Sequence, residues 1–218
     1  MPVFLFPRLS LLFLALTLMA FGVVLSIHSH LGTSPISSVP YSFSFIIDLS
    51  VGQLTILLHI IMILTQALLL GKSFQWYQYL QLPIGIAFGG LIDALMWLTN
   101  SWSIQAYSLQ LVLCLLSCVV TAIGVFLMVK ANLIFLAGEG LYSAISQRFK
   151  IEFGKCKIYG DIALVMIAVI AGLSCLGKVI GVREGTFICA LSVGYIVRLL
   201  LANVHILKFE SKPKPTEN

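Results

Sequence analysis

Gly32-Thr33-Ser34-Pro35 interrupts the apolar first half of the chain, and Gly138-Glu139-Gly140 interrupts the second half in the same way. A long apolar helix is expected after each. Val51-Gly52-Gln53 opens it in one copy and Tyr159-Gly160-Asp161 in the other. Both copies close that helix on the same tripeptide, Leu70-Gly71-Lys72 and Leu176-Gly177-Lys178. A further apolar run completes each copy, and another precedes each polar segment. Three spans per copy is an odd number, so the second copy lies upside down relative to the first. Such 3+3 inverted repeats are typical of secondary transporters, with the substrate site where the halves meet. The expected repeats cover about 8–98 and about 107–205, within one transmembrane domain over 1–205, followed by a short disordered cytoplasmic tail over 206–218.

Composition sets the class. Hydrophobic residues make up 60% of the chain and charged residues 10%, and the mean hydropathy is +1.06. Too few polar groups are present to cover a water-facing surface, so the solvent is lipid. Six runs are long enough to cross ~30 Å of hydrocarbon as helices: Arg8–Ile27, Val51–Leu70, Tyr79–Leu98, Leu109–Val129, Ile158–Leu176 and Thr186–His205. They are continuously apolar rather than alternating, which excludes membrane strands and predicts an all-α polytopic protein. The first run lacks a small-residue cleavage pattern and is read as a retained helix.

Basic residues predict orientation. With both termini cytoplasmic, Arg8, Lys72, Lys130, Arg148, Lys150, Lys155, Lys157, Lys208, Lys212 and Lys214 lie on the inner side. Only Lys178 and Arg183 lie outside, a positive-inside bias that also accounts for the net charge of +5. Trp76, Tyr77 and Tyr79 mark one boundary, and Trp97, Trp102 and Tyr107 the other. No basic stripe interleaved with aromatics suggests nucleic acid.

Two short segments do not fit a plain six-helix bundle. Residues 33–48, serine-rich with Pro35 and Pro40, and residues 138–149 are too short to span, so a short re-entrant or interfacial helix is expected in each half. Irregular backbone at membrane depth survives where it lines protein or a wet cavity. Asp93 lies near the end of the third span, where a carboxylate faces the bundle interior. It reads either as a coupling-proton or cation site or as a hydrogen-bond partner between helices. Gly52, His59 and Gln66, spaced by seven, form a polar seam on the second span. His59 reads as a proton relay or as an interhelical donor. Arg198 occupies nearly the repeat-equivalent place of Asp93 and reads as snorkelling to the inner headgroups. Glu184-Gly185-Thr186 opens the last span, where capping of exposed N–H groups competes with anion binding.

Cys114 and Cys118 share one helix face, while Cys156, Cys175 and Cys189 are scattered. With no zinc-type spacing they read as small hydrophobes, and no metal or cofactor is expected. No Gly-x-Ser-x-Gly, His-Glu-x-x-His, Walker loop or dinucleotide fingerprint is present, so the chain does not read as an enzyme.

Leu31-Gly32-Thr33-Ser34-Pro35-Ile36-Ser37-Ser38-Val39-Pro40-Tyr41, Gln81-Leu82-Pro83 with Phe88-Gly89 and Asp93, and Gly181-Val182-Arg183-Glu184-Gly185-Thr186 resemble YitT/YczE-type bacterial membrane proteins. The resemblance runs from about residue 8 to 205. It implies a duplicated, multi-pass protein of the bacterial plasma membrane, from a largely uncharacterised group often described as permeases.

The expected function is therefore secondary transport or export of a small polar solute. Pro35, Ser37, Gln81, Asp93, Glu139, Gly140, Glu184 and Thr186 are the candidate substrate contacts, with Asp93 and His59 carrying the coupling ion. The alternative is an accessory or regulatory membrane protein that binds a partner chain. Membrane lipid is the expected surroundings. At 23.9 kDa the chain is small for a transporter, so a homodimer or a partner membrane protein is compatible with either reading.

Overall fold

The computed structural model describes residues 5–203. Its elements are α1 (Leu5–His28), α2 (Pro35–Phe43), α3 (Val51–Leu70), α4 (Gln81–Leu98), α5 (Tyr107–Ala131), α6 (Ala137–Phe149), α7 (Phe153–Leu176) and α8 (Glu184–Asn203). There are no strands among the described residues. Six helices, all but the short α2 and α6, are long and apolar enough to cross a membrane. In hydrocarbon the backbone has no water to bond, so a run this apolar satisfies its N–H and C=O groups within a helix. The expected tail at 206–218, and the last residues of the expected sixth span, lie outside the described residues.

Local chemistry sets the ends. Ser50 and Gln53 form a capping box on α3: the Gln53 N–H donates to Ser50 Oγ at 3.1 Å and the Ser50 N–H to Gln53 Oε1 at 3.0 Å. Pro35 starts α2, where its missing N–H has no helical partner to lose. The Leu-Gly-Lys tripeptides do end α3 and α7, at Gly71 and Gly177. The start of α7 differs from expectation. It begins at Phe153, so Tyr159-Gly160-Asp161 lies within the helix and the counterpart of Val51 is not Tyr159. Lys155 and Lys157, which read as loop, are absorbed because long basic side chains carry their charge out of the apolar layer. Likewise α5 starts at Tyr107 and α8 at Glu184, and a 3-10 turn over Trp76–Leu80 leads directly into α4.

The most buried span is α1, with 61% of its apolar window inside the protein against 17% for α7 and for α8. It lies along α5, where the two backbones approach on small residues. A Cβ on Gly22 would stand 2.1 Å from Thr121 Oγ1. One on Gly124 would meet Met19 Cγ at 2.6 Å and the Ala15 carbonyl oxygen at 2.9 Å. Around this pair α4 packs on α1 and α3, and α8 packs on α5. The short helices α2 and α6 each bridge α3 and α7. Ser42 of α2 donates to the Ala168 carbonyl of α7 at 3.1 Å. Tyr142 of α6 donates to Asp161 of α7 at 2.7 Å.

The order long, short, long, long occurs twice. Pro35 and Ala137 start the short helices and Val51 and Phe153 the helices after them, each pair 102 residues apart. The same interval separates Gly22 from Gly124 and Met19 from Thr121, and each glycine packs on the other half's Met19 or Thr121.

Candidate functional site

A cavity of about 60 Å³ lies at the junction of α1 to α6. Its polar lining is Ser34, Ser37, Thr55, His59, Thr121 and Glu139, the rest being apolar groups such as Met19, Phe88 and Leu136. A water needs at least ~10–15 Å³ of such volume, so there is room for a few waters or one small solute.

Each polar group has a local reason for its place. Ser34, just before α2, donates to Ser37 Oγ at 3.0 Å. His59 comes from the seven-residue seam of α3 and stacks on Phe88 of α4, ring centroids 5.9 Å apart. Its buried Nδ1 has no hydrogen-bond partner among the described residues. Gly85 makes room, since a Cβ there would sit 2.8 Å from that nitrogen. Glu139 stands in the first turn of α6. Burial pushes its carboxyl above the ordinary value, opposed by Lys157 and its own backbone N–H and reinforced by Asp161. Lys157 is engaged elsewhere: it pairs with Asp161 at 3.4 Å and lies 5.3 Å over the Tyr142 ring. Glu139 has no ion pair among the described residues. The site therefore joins a carboxyl without an ion pair, an imidazole ring and the four hydroxyls of Ser34, Ser37, Thr55 and Thr121.

Of the expected contacts, Ser37, His59 and Glu139 line this cavity. Pro35 is buried in the first turn of α2 without lining it. Gln81 and Gly140 meet one layer away. Gln81 and Gln66 exchange amide hydrogen bonds at 3.1 and 3.2 Å, and Gln66 Nε2 also donates to the Ala137 carbonyl at 3.1 Å. Gly140 packs on that pair, where a Cβ would come 2.6 Å from Gln66 Oε1. Replacing Gln66 with leucine strands the Gln81 amide and is expected to lower stability by about 1–3 kcal/mol. In thermal melts the Gln66→Leu, Gln81→Leu double variant should recover part of that loss.

Asp93 lies outside this cavity. Its carboxylate accepts Ser50 Oγ at 2.5 Å and the Gly52 N–H at 2.8 Å, fastening the end of α4 to the start of α3. This geometry matches the interhelical hydrogen-bond alternative. Asp93→Ala is expected to cost about 0.5–2 kcal/mol, as the loss of a helix cap does, read as a lower melting temperature. Arg198 is exposed on the outside of the bundle.

Glu184 and Thr186 belong to a clamp between the α1–α2 and α7–α8 connections. The Thr33 N–H donates to the Gly181 carbonyl at 2.9 Å, and the Gly185 N–H to the Leu31 carbonyl at 2.8 Å. Buried Thr186 accepts the Arg183 N–H at 3.3 Å and donates to Gly181 at 3.4 Å. Gly32, at φ +99°, passes so close that a Cβ would meet Thr186 Oγ1 at 2.5 Å. Glu184 is exposed and pairs with Arg183 at 2.9 Å. Beside the clamp opens a cavity of about 310 Å³, lined by Ser26, His30, Thr33, Tyr41, Lys178 and Arg183 among others. Thr33 and Tyr41 border it, while their neighbours Ser34 and Pro40 border the central cavity. The start and the body of α2 are thus the partition between the two.

One arrangement is invisible in the spacing of the sequence. The sulfurs of Cys114 and Cys118 on α5 and Cys189 on α8 all lie within 4.8 Å of one another. The pairing of α5 with α8 brings the third cysteine in.

A family model described as a family of unknown function (DUF6198) matches residues 6–202. No curated protein and no solved structure matches the chain.

Proposed function

The chain belongs to this family of unknown function, DUF6198, and from that premise we propose that it is a secondary transporter or exporter of a small polar solute. The central cavity carries the reading: in a protein this apolar, hydroxyls, an imidazole and a carboxyl converge where the two sets of four helices meet. Three pairs of lining residues, Met19 with Thr121, Ser34 with Leu136 and Ser37 with Glu139, are separated by the same 102 residues. That pairing supports a 3+3 inverted repeat whose pseudo-axis runs through the cavity. The buried serines of α2 and its seat between α3 and α7 support a re-entrant rather than an interfacial helix. The positive-inside bias supports an orientation with both chain ends cytoplasmic.

In this account Ser37, Thr55 and Thr121 bind the solute. Glu139 and His59 exchange the coupling proton, and Asp93 holds the scaffold. The large cavity is the outer vestibule, and α2 is the barrier that moves. Ligand sites of ordinary metabolites occupy roughly 300–1,000 Å³, so the small central volume describes a closed state or a very small solute.

A second reading, an accessory protein that binds a partner chain, draws support from the wide exposure of α7 and α8. Thermal stabilisation of the purified protein against a panel of small solutes and ions separates the two. A ligand at 100 times its Kd stabilises by about 2.7 kcal/mol. The transporter reading requires one coherent class of hits, lost in a folded Ser37→Ala protein and retained in Asp93→Asn. Failure of every solute would favour the partner-binding reading.

A further inference from the structure

We propose that Cys114, Cys118 and Cys189 form a three-coordinate sulfur site for one Cu(I) ion, separate from the solute cavity. Their three sulfurs lie within 4.8 Å of one another, with Cys118 and Cys189 at 3.1 Å. A metal–sulfur bond of ~2.3 Å places three sulfurs about 4 Å apart in a trigonal plane, so small side-chain adjustments suffice. Gly185 packs between the Leu31 carbonyl and this cluster, where a Cβ would stand 2.6 Å from that oxygen and 2.9 Å from the Cys114 sulfur. Small hydrophobes would fill this space equally well, but two helices bring three thiols together here.

The donor set selects the ion. All-sulfur ligation favours soft ions, and hard cations prefer oxygen. Structural zinc takes four ligands, and no fourth histidine, cysteine or carboxylate joins the group among the described residues. The surround is Leu31, Leu111, Ile188 and Val193, with the Ser117 hydroxyl 3.9 Å from the Cys189 sulfur and already donated to the Cys114 carbonyl at 2.7 Å. Cu(I), a closed-shell ion at ease with three ligands, satisfies both constraints. Each thiol that ligates as thiolate releases its proton to solvent, so binding tightens as pH rises.

The test is an anaerobic titration of the full chain in detergent with Cu(I), in competition with a chromogenic Cu(I) chelator. One Cu(I) per chain is expected, with X-ray absorption showing a sulfur-only shell at ~2.3 Å. A folded Cys189→Ser protein should lose at least about tenfold in affinity, while Cys175→Ser, which removes an exposed thiol, should bind normally. If Cys189→Ser fails to fold, the sulfur count on the unaltered protein decides the matter. Equal binding by folded Cys189→Ser overturns the proposal, as do nitrogen or oxygen in the shell, or displacement of Cu(I) by equimolar Zn(II). A Cys118–Cys189 disulfide in protein whose thiols were blocked at lysis overturns it as well.

Discussion

Replacing Gly124 with leucine is expected to leave little or no folded protein to purify. The α1–α5 pair is the centre of the molecule, and at Gly124 a side chain would run into backbone, the Ala15 carbonyl at 2.9 Å and the Met19 nitrogen at 2.9 Å. Over-packing where side chains can adjust costs about 1–3 kcal/mol. Here the helices themselves must separate, and every contact of α1 weakens with them. Size-exclusion chromatography and thermal melting read the outcome. Gly90→Leu is the control, because nothing lies within 4 Å of a Cβ at that position, and it should purify normally. A stable, monodisperse Gly124→Leu protein would mean that α1 and α5 do not pack this way.

Replacing Glu139 with glutamine is expected to abolish coupled transport while sparing the fold. Glutamine keeps the size and hydrogen-bonding ability of the protonated acid but cannot give up a proton. Uptake of whichever solute stabilises the protein should fall to the level of empty vesicles. The pH dependence of stability gives a readout independent of the solute. The folded chain holds the Glu139 proton above the ordinary 4.5. Its contribution is therefore fully present below that value and is lost as pH rises through the raised one. Glu139→Gln should flatten this decline across the window that starts near 4.5 and extends upward. Parallel pH profiles for the two proteins would show that Glu139 keeps an ordinary carboxyl.

How far the residues alone foretold these positions follows from what was local. The expected span Val51–Leu70 coincides with α3 because its signals are adjacent in sequence: the Ser50–Gln53 box at one end, Gly71 at the other. The seam of Gly52, His59 and Gln66 turns inward as its two-turn spacing implies, and all three are buried. The start of α7 was not legible, because the lysines at 155 and 157 look the same in a loop and at a snorkelling helix end. Ser37, His59 and Glu139 each stand out in the sequence, but their meeting in one cavity depends on α2, α3 and α6 packing together. Asp93 reads either as a coupling-ion site or as an interhelical hydrogen-bond partner, and the partners it has, Ser50 and the Gly52 N–H, are supplied by the packing of α4 on α3, which no spacing reveals. Cys189 is the extreme case, 71 residues from the thiol it touches.

In the proposed cycle the cavity around Ser37 is reached alternately from the two faces of the membrane. A single accessible thiol tests it directly: Ser37→Cys with exposed Cys175 changed to serine, the four remaining native cysteines being buried. Membrane-impermeant thiol reagents would be applied to oriented vesicles from one side at a time. The account predicts labelling from either side, with a stabilising solute raising the rate from one face and lowering it from the other. Labelling from one side only, or from neither with or without solute, would contradict alternating access and leave the chain without a transport cycle.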